Sequence, residues 1–190
     1  MIRSLMLFVI IMMTVNSYAQ DKKVRYASQN YVGLLDGEAK AAFQLQTIHG
    51  IEFRSWFAGV GAGLDYYYIR TVPVFFTLNK DLKIKNRTFF ISGDVGPNYT
   101  WASVGPAMPW ASSLSKSSFD PAIYWAAGIG YKATMKNRND AILINLGYSY
   151  KKVEETRESA QWCINPPCNT TSEQFDYTLK RISIRLGWQF

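Results

Sequence analysis

Few residues of this chain are suited to covalent or metal chemistry. There is one histidine, His49, and there are two cysteines, Cys163 and Cys168. In an exported chain, two cysteines so close together favour a disulfide. Closing so small a loop stabilises by about 2 kcal/mol or less, so the bridge shapes a surface knob more than it holds a fold. A metal site would need further ligands, and His49 belongs to a distant segment; no metal and no cofactor are expected. A hydrolytic histidine needs a nucleophile beside it and an acid to orient it. His49 is followed by Gly50 and Ile51, and no serine stands two residues away on its face, although Glu52 is near in sequence. The residues therefore predict no catalytic site and no enzyme. What remains is a set of charges: Glu52, Asp65, Asp81, Asp94, Lys132, Lys151, Arg181 and Arg185. They share one parity of the segments that carry them. Such a set can line an ion path, or it can pair into a salt-bridged plug.

The compartment follows from the N-terminus. Arg3 precedes an apolar stretch from Leu5 to Val15, too short to span a bilayer. Ser17-Tyr18-Ala19 places small residues at the positions a signal peptidase reads. Residues 1–19 read as a removable leader, and 20–190 as a single domain. No cysteine follows the apolar stretch, so no lipid anchor is expected. Without Arg3 the chain keeps 20 Lys and Arg against 14 Asp and Glu, a net charge of +6. An exported chain rarely meets nucleic acid, and these basic residues fall in short separate clusters, so they read as boundary charges. With 48% hydrophobic and 18% charged residues the chain is not disordered.

The charges must be positioned by strands. Helical periodicity is poor almost everywhere, whereas alternation with period two recurs. Ile182, Ile184, Leu186, Trp188 and Phe190 share one parity, and Arg181, Ser183, Arg185 and Gly187 the other. Eight such segments are expected: Asn30–Asp36, Ala41–Phe53, Trp56–Tyr67, Thr71–Leu82, Thr88–Trp101, Ala122–Thr134, Ala141–Val153 and Gln174–Phe190. Glu38–Ala42 also carries a helical-turn alternative. Connections after the second, fourth and sixth segments are short. Those at Ala102–Pro121 and Glu154–Glu173 are long. A soluble sandwich has no reason to sort its loops in this way, whereas an up-and-down barrel in an outer membrane does.

Parity alone does not separate inside from outside. The composition of the two faces does. The non-apolar face is rich in glycine, as at Gly59, Gly61, Gly63, Gly128 and Gly130. Glycines suit the cramped interior of an eight-stranded barrel, whereas in water a solvent-facing row of them would only weaken the strand. On the apolar face Tyr66, Tyr99, Trp101, Trp125, Tyr148 and Tyr150 fall at one end of the segments. Phe53, Trp56, Phe89, Tyr131, Trp188 and Phe190 fall at the other. Two aromatic girdles around an aliphatic band mark a membrane wall. The expected fold is all-β, an eight-stranded antiparallel up-and-down transmembrane barrel with both termini in the periplasm.

Several stretches carry a family resemblance: Phe43–Gly50, the run Gly61–Asp65, the strand containing Pro73 and the terminal Leu186-Gly187-Trp188-Gln189-Phe190. On these the chain resembles the small outer-membrane β-barrels of the OmpA transmembrane-domain and OmpX type, in their Bacteroidetes form. The resemblance covers the mature chain. It implies outer-membrane location, outer-membrane lipid as a partner, and Trp188 and Phe190 as the signal read by the barrel-assembly machinery. It carries no catalytic residues. The expected function is a structural or surface-interaction, adhesion-like role through external loops, with Trp110 as a contact anchor for a surface partner. The alternative function is a narrow pore for ions or small solutes lined by Asp65, Asp81, Asp94, Lys132, Arg181 and Arg185, and the narrow interior of an eight-stranded barrel favours the salt-bridged plug over it. A lipid-modifying enzyme would require His49 near a serine and an acid. Within the lumen, Asp94 and Lys132 sit on neighbouring strands and are expected to pair.

Overall fold

The computed structural model describes residues 24–101, 115–135, 140–160 and 170–190. The expected leader, Trp110, Cys163 and Cys168 lie outside these residues. The described strands are β1 (Val24–Gly37), β2 (Ala42–Phe53), β3 (Trp56–Asp65), β4 (Thr71–Ile84), β5 (Arg87–Thr100), β6 (Ser115–Asp120), β7 (Ala122–Thr134), β8 (Ala141–Ala160) and β9 (Thr170–Gln189). Strands β1 to β5 pair in sequence order, β5 pairs β7, β7 pairs β8, β8 pairs β9, and β9 returns to β1; all pairs are antiparallel. The sheet is a closed eight-stranded barrel. The short β6 lies along the distal part of β8, from Asp120 opposite Glu154 to Ser115 opposite Ser159.

The expected segments agree with all eight barrel strands at one or both ends. The first begins earlier, at Val24 instead of Asn30. Its outward positions Ser28 and Asn30 are polar, so the alternation that marks a wall strand is broken there. The stretch Glu38–Ala42 forms a turn, not a helix. Parts of both long connections are strand. β6 and the distal halves of β8 and β9 have no apolar face, because no hydrocarbon covers them, and they give no period-two signal.

Register fixes the tilt. One line of paired residues runs from Val24 through Phe53, Trp56, Lys80, Ile91, Ile129, Leu146 and Ile184, and returns to β1 at Leu34. It comes back ten residues further along. A stagger of ten over eight strands tilts them by about 40° to the axis, which leaves an interior wide enough only for side chains.

Burial is inverted relative to a soluble barrel. Outward-facing Phe76 is 68% exposed and Ile129 64%, whereas inward-facing Asp65 and Arg181 are each 1% exposed. Water would not tolerate such a wall; hydrocarbon requires it. The chain is a membrane-spanning barrel. The aromatics sit at its two ends. Trp125 stacks on Tyr150 at 5.8 Å, and Phe89 meets Tyr131 edge-on at 5.5 Å. Cations flank both girdles, with Arg70 5.9 Å from the ring of Trp101 and Lys80 4.3 Å from that of Trp56. Hereafter the end with the tight turns at Arg54-Ser55 and Lys85-Asn86 is the turn end. The end from which β8 and β9 project is the ribbon end. At the turn end the C-terminus is sealed into the wall: the Phe190 amide donates to the Ser28 carbonyl (3.0 Å) and the Ser28 amide to the Phe190 carbonyl (2.8 Å).

Two glycines make the interior possible. A Cβ on Gly130 would lie 2.2 Å from the Phe90 ring, which crosses the lumen there. A Cβ on Gly96 would lie 2.1 Å from the Val74 carbonyl oxygen. Gly96→Val is expected to remove the heat-modifiable, folded band on a gel, since the clash is with backbone. Ile129→Arg, in the middle of the wall, should cost about 2–4 kcal/mol in urea unfolding from lipid vesicles. Ile84→Arg, at the turn end, should cost about 1 kcal/mol or less.

Candidate functional site

The inward parity of the strands gathers the charges into three levels. At the ribbon end Asp65 from β3 bonds the Arg181 guanidinium from β9 and lies 3.1 Å from Lys151 Nζ of β8. Lys151 donates its three hydrogens to the carbonyls of Tyr67 (2.9 Å) and Ile69 (3.0 Å) and to Thr71 Oγ1 (3.2 Å). Those acceptors hold the 66–70 connection over the barrel mouth. The Tyr67 ring lies 5.4 Å from the Arg181 guanidinium, and its hydroxyl accepts the Ala39 amide at 2.7 Å. All three charged side chains are buried, one anion against two cations.

The middle level centres on Arg185. Its Nη1 reaches Asp94 at 3.1 Å and Gln46 Oε1 at 2.7 Å, while Nε and Nη2 both donate to Asn145 Oδ1. Thr77 donates to the other Asp94 oxygen. At the turn end Lys132 bridges Glu52 (2.7 Å) and Asp81 (3.0 Å), and Arg25 meets Glu52 at 2.6 Å. Gln29, Asn79, Phe90, Leu143 and Gln189 pack around Lys132 and leave no space beside it large enough for a water molecule.

All six predicted lumen charges point inward, and so do Glu52 and Lys151. The expected pairing of Asp94 with Lys132 does not form. The two residues are on adjacent strands, but Asp94 faces Ala126 in register and Lys132 faces Thr88, six residues down the wall. Each finds its partner across the lumen instead: Asp94 with Arg185, Lys132 with Glu52 and Asp81. Arg25 was not anticipated, because β1 was expected to begin beyond it. The alternation Arg25, Ala27, Gln29, Tyr31 was the available signal. Gln46 and Asn145 were also missed, since uncharged amides do not stand out in a sequence.

His49 faces outward, as its parity predicts, and is exposed on the wall. Its Nδ1 lies 2.7 Å from the Tyr26 hydroxyl and its Nε2 3.3 Å from Thr47 Oγ1. No carboxylate is among its partners in the described residues. Trp188 and Phe190 are exposed on the wall at the turn end.

A second charge cluster stands on the projecting ribbon. Glu155 accepts from Ser117 of β6 (2.8 Å), Arg157 (3.0 Å) and the Tyr177 hydroxyl of β9 (3.2 Å). Burial pushes its carboxyl up, but these hydrogen bonds and the Arg157 charge outweigh burial together and hold it below the usual carboxylate range. Tyr177 also packs against Tyr68, with ring centres 5.6 Å apart, which ties the ribbon to the connection over the barrel mouth.

No family model matches the sequence, and no curated relative matches it. Among solved structures, the chain is similar to Neisserial surface protein A (NspA), with 11% identity and a TM-score of 0.47 over 88% of this chain and 97% of that one. It is also similar to the outer membrane protein Omp33 of Acinetobacter baumannii, with 10% identity and a TM-score of 0.22 over 87% of this chain and 97% of that one.

Asp65→Asn leaves Lys151 and Arg181 buried without an anion and is expected to destabilise the barrel by about 3–5 kcal/mol. Glu52→Gln, at the more hydrated turn end, should cost about 1 kcal/mol. Urea titration in vesicles ranks the two. On the ribbon, a carboxyl held low contributes stability that is complete above its unfolded value, about 4.3 for Glu. That contribution is lost as pH falls through the lower folded value. Amide exchange across residues 115–120 and 152–157 should therefore accelerate only in strong acid, while the barrel strands stay protected.

Proposed function

We propose that this chain is an integral outer-membrane barrel that carries a docking surface for a partner outside the cell. The observation behind this reading is the ribbon. β8 and β9 remain paired from Lys152 opposite Thr178 to Ala160 opposite Thr170, well past the point where β1 stops at Gly37 opposite Arg181. Beyond that point the far edge of β9 from Ser172 to Lys180 has no neighbouring strand among the described residues, and β6 presents a second edge. Edges of this kind offer unpaired backbone donors and acceptors to an extended segment of another chain. The ribbon's side chains are polar and charged on both faces, with Lys152 between Glu154 (2.6 Å) and Asp176 (3.2 Å) and the Arg157 guanidinium 5.0 Å from the Phe175 ring. Such a surface suits water and a protein partner.

The orientation that goes with this reading puts the turn end in the periplasm and the ribbon outside, with short turns inward and long connections outward. Trp188 and Phe190 at the turn end are then the positions for the assembly machinery, and Trp110 and the Cys163–Cys168 disulfide belong to the external connections. The narrow-pore alternative needs an open path. The three levels of paired side chains supply a plug.

Joining Thr156 to Gln174 through an Asn-Gly turn removes the distal ribbon at a register pair. The shortened protein should keep its heat-modifiable gel shift and lose attachment of cells to host or neighbouring-cell surfaces. Unchanged attachment would sink the docking reading. In a planar bilayer the folded full chain should give a silent trace; stepwise conductance altered by Arg185→Gln would make it a pore.

A further inference from the structure

The turn end carries cations with no anion to meet them. Arg54 stands in the β2–β3 hairpin, Lys80 and Lys83 on β4, Lys85 in the β4–β5 hairpin and Arg87 at the start of β5. Arg54, Lys83, Lys85 and Arg87 are exposed. None of the five is in an ion pair among the described residues. The two acids of the neighbouring lumen, Glu52 and Asp81, are held by Arg25 and Lys132. The other acidic side chain described at this end, Asp140, precedes β8, and β7 lies between it and the cations. The rim from β2 to β5 is therefore a one-sign surface.

Two of these cations sit where the backbone resists them. Both hairpins are two-residue turns, closed by the pairs Phe53 with Trp56 and Ile84 with Arg87. Only the first central residue of each has a positive φ, 57° at Arg54 and 54° at Lys85. A turn of that pattern calls for glycine at that position, and a side chain there strains it. Strain of this kind persists where the side chain is used. The rings beside the cations fix their depth. The Arg54 guanidinium lies 5.3 Å from the Phe53 ring, and Lys80 Nζ lies 4.3 Å from the Trp56 ring while donating to Ser55 Oγ at 2.8 Å. Aromatics at a barrel rim stand among lipid headgroups, so these charges do too. A soluble acidic partner would be met beyond the girdle, whereas lipid phosphate is met at it.

We propose that the rim from Arg54 to Arg87 binds the phosphodiester headgroups of anionic glycerophospholipid in the leaflet around it. Arg54 and Lys85 hold their strained turn positions for that contact. The choice of glycerophospholipid over the phosphates of lipid A rests on the orientation proposed above, which puts the turn end in the periplasmic leaflet. It does not depend on the ribbon's role.

The test is native mass spectrometry of the full chain folded in mild detergent, titrated with phosphatidylglycerol, with phosphatidylcholine of the same acyl chains, or with lipid A. A basic residue beside anionic lipid is worth about fivefold in binding. The wild type should retain phosphatidylglycerol at least about tenfold better than phosphatidylcholine. Arg54→Gly with Lys85→Gly should lower phosphatidylglycerol retention about tenfold and leave phosphatidylcholine unchanged, while the urea midpoint rises because glycine accepts the turn. Lys83→Gln with Arg87→Gln, away from the strained positions, should lower it as well. Lys40→Gln with Arg70→Gln removes the same charge from the ribbon end and should leave it unchanged. Equal retention of the two phospholipids by the wild type would overturn the proposal, as would an equal loss from the ribbon-end pair. Lipid A retained in preference to phosphatidylglycerol would overturn the choice of lipid and the orientation together. Loss of the ribbon's docking role alone would leave the rim's preference standing.

Discussion

A bilayer core offers no hydrogen-bond partner. Every backbone amide and carbonyl of a spanning segment must find its partner within the protein, and a sheet can do that only by closing. The pairing of β9 with β1 is therefore the contact on which the rest depends. It spans nearly the whole chain, from the first described strand to the last, and it ends in the reciprocal bonds between Ser28 and Phe190. Once the ring closes with a stagger of ten, the diameter is set, and with it the volume into which half of all side chains must fit.

That volume governs the chemistry of the interior. Aromatics such as Phe75, Phe90 and Tyr31 cross it where glycines face them, at Gly61, Gly130 and Gly187. Charges are admitted only in groups that pair. Asp94 is reached from across the lumen by Arg185, and Lys132 by Glu52 and Asp81, because opposing walls are closer in space than positions six residues apart along a strand. The ion clusters act as rungs between strands distant in sequence, and a loss at one rung leaves a buried charge exposed to low dielectric. Viewed as a passage, the same rungs are obstacles.

Outside the bilayer the rules reverse. The distal parts of β8 and β9, with β6 beside them, are a sheet in water with polar groups on both faces. Their stability rests on pairing and on contacts such as Glu155 with Arg157 and Tyr177. The same chain thus carries two sheets under two solvents, joined at Tyr68, Tyr177 and the Lys151 cluster. Among the described residues, Asn30, Thr47 and His49 on β1 and β2 depart from the apolar rule of the wall and bond to one another and to Tyr26 instead.

The sequence by itself determined the barrel. A wall strand must alternate because it meets lipid on one side and packed polar groups on the other, so parity, glycines and aromatic levels were written along the chain wherever hydrocarbon touches it. The inward set from Glu52 to Arg185 was legible for the same reason. Where hydrocarbon is absent the signal vanished: β6 and the distal ribbon read as loops, since water imposes no alternation. Polar Ser28 and Asn30 also hid the start of β1, and with it Arg25. Tertiary structure alone decided who pairs with whom. Closure and stagger bring β3 to β9 and β5 to β9 across the lumen, and register places Asn30, Thr47 and His49 in one patch. Those juxtapositions depend on the register around the ring, which no single strand carries.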